Sequence, residues 1–129
     1  MVVNATQIIA DKINSAFSAP KNLTDNWIES NPYIFEELTD SEAKEYIPGF
    51  MVFVLKNMNS TPGSNVYVQF LNALNNFSKC KHPPGLWFSL STKEKSSVLA
   101  FLGHLLHNQP ANIDEQLLIK IISRWQQAT

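Results

Sequence analysis

Four side chains in the second half of the sequence have the chemistry of zinc ligands. Cys80 and His82 form a Cys-x-His pair, and His104 and His107 lie three residues apart. If the latter segment is helical, its two imidazoles share one face, as two ligands of the same ion must. A small metal-binding domain or metal-dependent enzyme that uses Cys80, His82, His104 and His107 is therefore one hypothesis for this chain.

The apolar pattern around the two helical histidines favours a different interpretation. If Val98, Leu102 and Leu105 form the buried side of the helix, His104 and His107 face the other way, where imidazoles are simply solvated. We expect Ser96, Ser97 and Ala100 to share that solvent side. Cys80 lies between two lysines with no oxyanion-hole signature around it, which disfavours a cysteine nucleophile. We therefore expect no catalytic residues, no metal ion and no cofactor.

A second group of chemically active side chains is acidic and lies around the start of one predicted helix. Its members are Glu36, Glu37, Asp40, Glu42 and Glu45. Carboxylates near a helix N-terminus interact favourably with its dipole, so part of this charge has a local explanation. The remaining charge is either a solvated surface or a contact surface for a basic partner, to which it would give fast, steered association. On the second interpretation, Glu36, Glu37, Asp40 and Glu45 are the predicted partner-binding residues.

Composition restricts the classes of protein to which this chain can belong. A chain of 129 residues with 44% apolar and 16% charged residues fits one folded domain, which we predict to span residues 1–129. Residues 1–50 hold eight acidic side chains against three lysines, and the remainder holds seven basic side chains against three acidic ones. The single arginine, Arg124, and the absence of a basic stripe argue against nucleic-acid binding.

Cysteine content and hydropathy predict where the protein acts. Cys80 has no second cysteine with which to form an internal disulfide, and the N-terminus does not have the pattern of a secretory signal. The longest apolar run, Tyr46 to Leu55, is about half of the roughly 20 residues needed to cross a bilayer. We therefore expect a cytoplasmic protein with no membrane-spanning segment.

The second predicted helix, Asp40 to Met58, carries the clearest local signals in the chain. Thr39 and Glu42 have the spacing of a capping box, which satisfies two backbone N–H groups at a helix start. From Tyr46 onward almost every side chain is apolar, so this helix is expected to be buried on most sides. Pro48 removes one hydrogen bond of the helix and should bend it, unless the helix stays continuous through it.

Four further helices follow from periodicity and capping signals. Ile8, Ile9, Ile13 and Phe17 recur with helical spacing and predict a first helix from about Val3 to Phe17. The third helix is predicted from its N-cap, Ser64, to about Phe77. The fourth begins at the capping box of Ser91 and Glu94 and runs to about Asn108. The fifth begins at the weaker box of Asn112 and Glu115 and continues through Trp125.

Residues 20–37 have no such periodicity. They mix turn-forming residues with large apolar ones, which predicts a long loop or one short helical turn held against the core by its aromatic side chains. The predicted fold is therefore all-α, with about five helices packed in one compact bundle-like domain and a kinked second helix at its centre.

Three separated segments of the sequence resemble an uncharacterised bacterial family of small helical proteins. They are I-N-S-A-F at residues 13–17, L-T-D-S-E-A-K-E-Y-I-P-G-F at 38–50, and F-S-L-S-T-K-E-K-S-S-V-L-A-F-L at 88–102. The matching positions are packing and capping residues, so the resemblance implies a fold and transfers no catalytic residue. Proteins of this size and style are also similar to the immunity proteins that are encoded beside bacterial toxins.

Together these observations predict a non-enzymatic protein-binding module. Its most concrete form is a bacterial immunity protein that neutralises a cognate toxin, itself basic, by covering the active site of that toxin. Neither nucleic acid nor membrane is expected as a partner.

Overall fold

A computed structural model of the chain describes residues 5–17, 21–57, 65–77, 90–107 and 115–127, and all regular structure in these ranges is helical. The elements in chain order are α1 (Ala5–Ala16), α2 (Asp25–Ser30), a 3₁₀ turn (Ile34–Glu36), α3 (Asp40–Asn57), α4 (Asn65–Phe77), α5 (Thr92–His107) and α6 (Glu115–Gln127). The predicted all-α class is confirmed. All five predicted helices are present, and α2 and the 3₁₀ turn lie in the segment that was expected to be a loop or one short turn.

Capping side chains begin the two longest helices as the sequence predicts. At the start of α3, the Thr39 backbone N–H donates to Glu42 Oε1 at 3.0 Å, and the Glu42 N–H donates to Thr39 Oγ1 at 3.3 Å. At the start of α5, the corresponding distances for Ser91 and Glu94 are 2.7 and 3.1 Å. Both capping boxes are therefore confirmed. The remaining predicted caps, Ser64 and Asn112, lie outside the described residues.

Helix α3 lies at the centre of the packing. It contacts α1, α2, α4 and α5, and the predicted burial on most sides is confirmed. The buried side chains of α3 are Ala43, Ile47, Pro48, Phe50, Met51, Phe53, Val54 and Leu55. Burial of this many apolar side chains on a single helix makes α3 a major source of the hydrophobic stabilisation of the fold.

The segment before α2 docks on α3 where Pro48 and Gly49 interrupt its surface. The Lys21 backbone N–H donates to the Glu45 carbonyl at 2.7 Å, and a Cβ on Gly49 would lie 3.1 Å from Leu23 Cδ1. Pro48 has no N–H to offer the preceding turn of the helix. Helix α3 nevertheless continues through Pro48, and the bend expected there stays a prediction.

Aromatic side chains hold residues 25–36 against the core. The ring of Phe35 lies 4.8 Å from that of Phe50 and 5.5 Å from that of Phe70, while Trp27 lies 5.6 Å from Tyr46. The Phe70 ring also lies 5.9 Å from Phe101 on α5. Edge and tilted contacts at these distances are the favoured geometries of aromatic pairs. The prediction that aromatic side chains hold this segment against the core is confirmed.

The second half of the chain completes the core through α5 and α6. Helix α5 contacts both α1 and α6, and α6 also contacts α4. Trp125 is fully buried, and its indole N–H donates to the Leu74 carbonyl at 2.9 Å. Nearby, Arg124 donates to Asn75 Oδ1 at 2.9 Å. A buried indole N–H therefore has its partner, as burial of a polar group requires.

The prediction that Ile8 belongs to the buried stripe of the first helix is wrong. Its side chain is 52% exposed, whereas Ile13 and Phe17 are buried. With 3.6 residues per turn, Ile8 lies about 140° around the helix from Ile13. Because α1 packs against α3 and α5 through the side that holds Ala10, Ile13 and Phe17, Ile8 is left in solvent.

Truncation of a central aromatic ring should strongly destabilise the fold. Phe50 and Phe101 are both fully buried, so Phe50→Ala or Phe101→Ala should each lower the free energy of unfolding by about 3–5 kcal/mol, as large-to-small core changes do. Urea denaturation followed by circular dichroism measures the change. A loss below about 1 kcal/mol at either position would contradict the core described here.

Two helical glycines form a matched pair that tests how closely the segment before α2 packs on α3. A Cβ at position 103 would meet nothing within 4 Å, so Gly103→Ala should stabilise the protein by about 1 kcal/mol through helix propensity alone. The same change at Gly49 brings a Cβ within 3.1 Å of Leu23. Gly49→Ala should therefore stabilise less than Gly103→Ala, or destabilise, in the same denaturation experiment. Equal stabilisation at both positions would show that Leu23 does not pack against Gly49.

Candidate functional site

The environment of α5 decides how its two histidines can act. His107 is exposed and His104 is partly buried, which agrees with the predicted solvent side for His107. Burial, and secondarily the neighbouring positive charge of His107, hold the pKa of His104 below its usual value. Both effects favour the neutral imidazole at His104.

The prediction that Ser97 lies on the solvent side of α5 is wrong. Ser97 is fully buried, and its hydroxyl donates to the Glu94 carbonyl at 2.8 Å. The reason is that α5 is covered by α1, α3 and α6, so its buried arc is wider than an amphipathic stripe on a surface helix. A serine is tolerated there because its hydroxyl bonds to the backbone of its own helix.

The structure does not bring the four candidate zinc ligands together within the described ranges. Cys80 and His82 lie outside the described residues. Among the residues that are described, no group of three or more histidine, cysteine, aspartate or glutamate side chains is arranged to hold a metal ion. The hypothesis of a metal site therefore stays a prediction from sequence.

The acidic residues lie at the 3₁₀ turn and over the first turns of α3. Glu36 ends the turn and Glu37 follows it, and both side chains are exposed. Glu45 is exposed on the second turn of α3, whereas the side chain of Asp40, the first residue of α3, lies outside the described part. We call the side chains of Glu36, Glu37 and Glu45 the acidic surface.

Glu42 has a structural role that separates it from the acidic surface. Its carboxylate accepts from both the backbone N–H and the hydroxyl of Thr39, each at 3.0 Å. These hydrogen bonds, the backbone one first, lower the pKa of Glu42 below its usual value because they stabilise the charged form. Glu42 therefore stays ionised at neutral pH and holds the start of α3 in place.

The carboxylates of the acidic surface are not neutralised by ion pairs within the described part of the chain. Lys44, on the same helix, instead places its ammonium 3.7 Å from the carboxylate of Glu94 at the start of α5. The other described ion pair joins Lys56 to Asp25 at 3.8 Å. The charge of Glu36, Glu37 and Glu45 is therefore presented to solvent, where it can act on a partner.

A narrow groove that the sequence analysis missed borders the acidic surface at Glu36. It lies between the 3₁₀ turn and α4 and has a volume of about 110 Å³. Its lining residues are Pro32, Tyr33, Phe35, Glu36, Gln69, Asn72, Ala73, Asn76 and Phe77. One signal was available in the sequence, since Gln69, Asn72 and Asn76 recur at i, i+3 and i+7 and so give α4 an uncharged polar face.

A wider groove, of about 340 Å³, lies beside Pro48 and Gly49. Lys21 and Lys56 contribute to its lining together with Asp25, over a floor that includes the buried Phe53. It is the space left where the segment before α2 meets α3. Because Asp25 lies within 3.8 Å of the Lys56 ammonium, part of its charge is already paired.

Comparison of the chain with protein-family models, with curated proteins and with solved structures finds no match. The resemblance to a bacterial family of small helical proteins stays a prediction. Among the described helices, none has the combination of length and hydropathy that a bilayer-spanning helix requires.

The charge of Glu42 should contribute to stability in a pH-dependent way. Because the pKa of Glu42 is lowered in the folded protein, its contribution is present above the ordinary value of 4.5 and is lost as the pH falls through the folded-state value. Glu42→Gln keeps an oxygen acceptor for Thr39 but removes the charge. We expect it to lower the urea midpoint at pH 7, with the difference from the unmodified protein shrinking as the pH falls below 4.5.

Glu45→Gln is the matched control, since it removes the same charge from the same helix but from a side chain without a capping role. Its effect on the urea midpoint at pH 7 should be smaller than that of Glu42→Gln. An equally large effect would show that general electrostatics, and not the Thr39 cap, couples Glu42 to folding.

Proposed function

We propose that this chain is a bacterial immunity protein, a non-enzymatic module that binds a cognate toxin and covers its active site. The observation that carries the proposal is the acidic surface, whose three carboxylates are exposed and have no ion-pair partner in the described ranges. A toxin that acts on nucleic acid has a basic cleft for phosphate groups, and carboxylates of fixed position are suited to occupy it.

The rigidity of the acidic surface supports the proposal. Phe35, which precedes Glu36, lies against Phe50 and Phe70, and the Thr39–Glu42 capping box fixes the start of α3. The backbone that carries these charges does not have to be ordered when the partner arrives, so less conformational entropy is lost on binding.

The proposal includes the location and the partner class. An immunity protein of this kind acts in the cytoplasm of the producing cell, and a single cysteine, which needs no oxidising compartment, is compatible with that location. The partner is a basic protein. Long-range attraction between the two surfaces makes association fast at low salt and slower at high salt.

Charge reversal tests the acidic surface. The tagged protein is used to capture its partner from host lysate at low salt, and a captured protein is accepted as the toxin if its expression alone arrests growth and co-expression of this chain relieves the arrest. We expect the triple change Glu36→Lys, Glu37→Lys and Glu45→Lys to weaken binding by about 2–5 kcal/mol in sum and to abolish the relief. Titration calorimetry with the purified toxin measures the affinity.

The matched control reverses three exposed carboxylates elsewhere, in the changes Asp11→Lys, Glu29→Lys and Glu115→Lys. This variant has the same net charge, so it reports the effect of overall charge once circular dichroism shows that α6, whose first turn holds Glu115, is intact. Equal losses in the two variants would remove the acidic surface as the contact site. Zinc near one atom per chain, in protein purified without added metal, would instead favour the metal-binding hypothesis for Cys80, His82, His104 and His107.

A further inference from the structure

The groove between the 3₁₀ turn and α4 combines three kinds of lining. Glu36 supplies a carboxylate, the rings of Tyr33, Phe35 and Phe77 supply aromatic surface, and α4 supplies carboxamides. Tyr33 is 48% exposed, which is high for a side chain of its size. Among the described lining residues none is a lysine or an arginine, and Glu36 is the one that carries a formal charge.

The hydrogen-bonding capacity of this lining is unused. Within the described part of the chain, the side chains of Gln69, Asn72 and Asn76 make no hydrogen bond, and Glu36 makes no ion pair. Asn75, one position away, differs because it accepts from Arg124. The three carboxamides therefore offer oxygen acceptors beside a carboxylate, in a recess that is otherwise lined by three aromatic rings, Pro32 and Ala73.

The volume of the groove limits what it can hold. Small-molecule sites usually measure about 300–1,000 Å³, whereas this groove measures about 110 Å³. It is too small for a typical metabolite but has room for one extended side chain. Ala73, which lies between Asn72 and Asn76 in the sequence of α4, also lines the groove and has the smallest side chain among the described lining residues.

We propose that this groove is a socket for a single arginine side chain of the basic partner. The inference rests on the proposed function, because that function supplies the basic partner. Glu36 pairs with the guanidinium, the carbonyl oxygens of the α4 carboxamides accept its remaining N–H groups, and the aromatic rings pack against its flat face and aliphatic stem.

Arginine fits this lining better than lysine does. A guanidinium is planar, stacks on aromatic rings and presents five donors in a fixed fork, which suits several acceptors spread along one helix face. An ammonium is a compact, strongly hydrated charge that would have to give up more water to enter an aromatic recess. Arginine is also enriched among the residues that dominate binding energy at protein interfaces.

The test uses a small probe, so it does not depend on having the toxin. N-acetyl-arginine methylamide is titrated into the ¹⁵N-labelled full chain, and the side-chain NH₂ signals of Gln69, Asn72 and Asn76 are followed by NMR. We expect saturable shifts at these signals, and weaker binding of the lysine analogue and of the citrulline analogue, which keeps the shape of arginine without its charge. Absence of saturable shifts at the groove, or equal affinity for the citrulline analogue, would overturn the proposal.

Two variants and a control make the assignment specific. Glu36→Gln should weaken probe binding by about three- to tenfold, whereas Glu37→Gln, which removes an equal charge outside the groove, should change it by less than about twofold. Ala73→Leu fills the groove without any change in charge and should abolish binding, while circular dichroism confirms that the helices are intact. Equal effects of Glu36→Gln and Glu37→Gln would show general attraction and no socket.

The same variants separate this inference from the proposed function. If the toxin is bound and neutralised but Ala73→Leu leaves its affinity unchanged, the socket is wrong and the immunity role stands. If the probe binds as expected and no toxin is neutralised, the proposed function is wrong and the arginine-binding groove remains.

Discussion

The architecture depends on one proline–glycine step in the central helix. Pro48 removes a backbone donor and Gly49 removes a side chain, so α3, which continues through both, presents a notch where another side chain would present a ridge. The Lys21 N–H bonds to the Glu45 carbonyl at this notch, and Leu23 packs against Gly49. In the described ranges this is the only backbone hydrogen bond outside the helices that joins segments distant in sequence. Pro48 and Gly49, which would weaken an isolated helix, thus lie where residues 21–23 are attached to the core.

The candidate site follows from that attachment. Once the chain is held at the notch, α2 places Trp27 beside Tyr46 and Phe50, and the 3₁₀ turn inserts Phe35 among Phe50, Phe70 and Phe77. Because Phe35 faces inward, its neighbour Glu36 is directed to the surface and borders the groove against α4. The acidic surface and the groove are therefore positioned by aromatic packing, and their own charges contribute little to holding them in place.

Local signals in the sequence were sufficient for the five longer helices and insufficient for α2 and for the site. The Thr39–Glu42 and Ser91–Glu94 boxes each depend on residues three positions apart, so both helix starts could be predicted from the sequence. Ile8 and Ser97 were misplaced because burial depends on how many neighbours a helix has, and α1 and α5 differ in this respect.

The groove was missed because its two walls, Tyr33 to Glu36 and Gln69 to Phe77, are more than thirty residues apart in the sequence. Only the carboxamide spacing of α4 was visible in advance, and spacing alone does not reveal what faces it.

The acidic surface and the groove would act over different distances on a basic partner. Exposed carboxylates act through a field that extends about 10 Å at ordinary salt, which raises the rate of encounter but adds little affinity once screened. A recess that encloses one side chain acts only at contact, where water is excluded and hydrogen bonds to charged groups are strongest, and it therefore slows dissociation. Glu36 belongs to both features, since it is exposed and also lines the groove. Glu36 would therefore contribute both to the long-range attraction and to the contacts of the bound complex. Its loss should change the rates of both association and dissociation. The loss of Glu37 should change the rate of association alone.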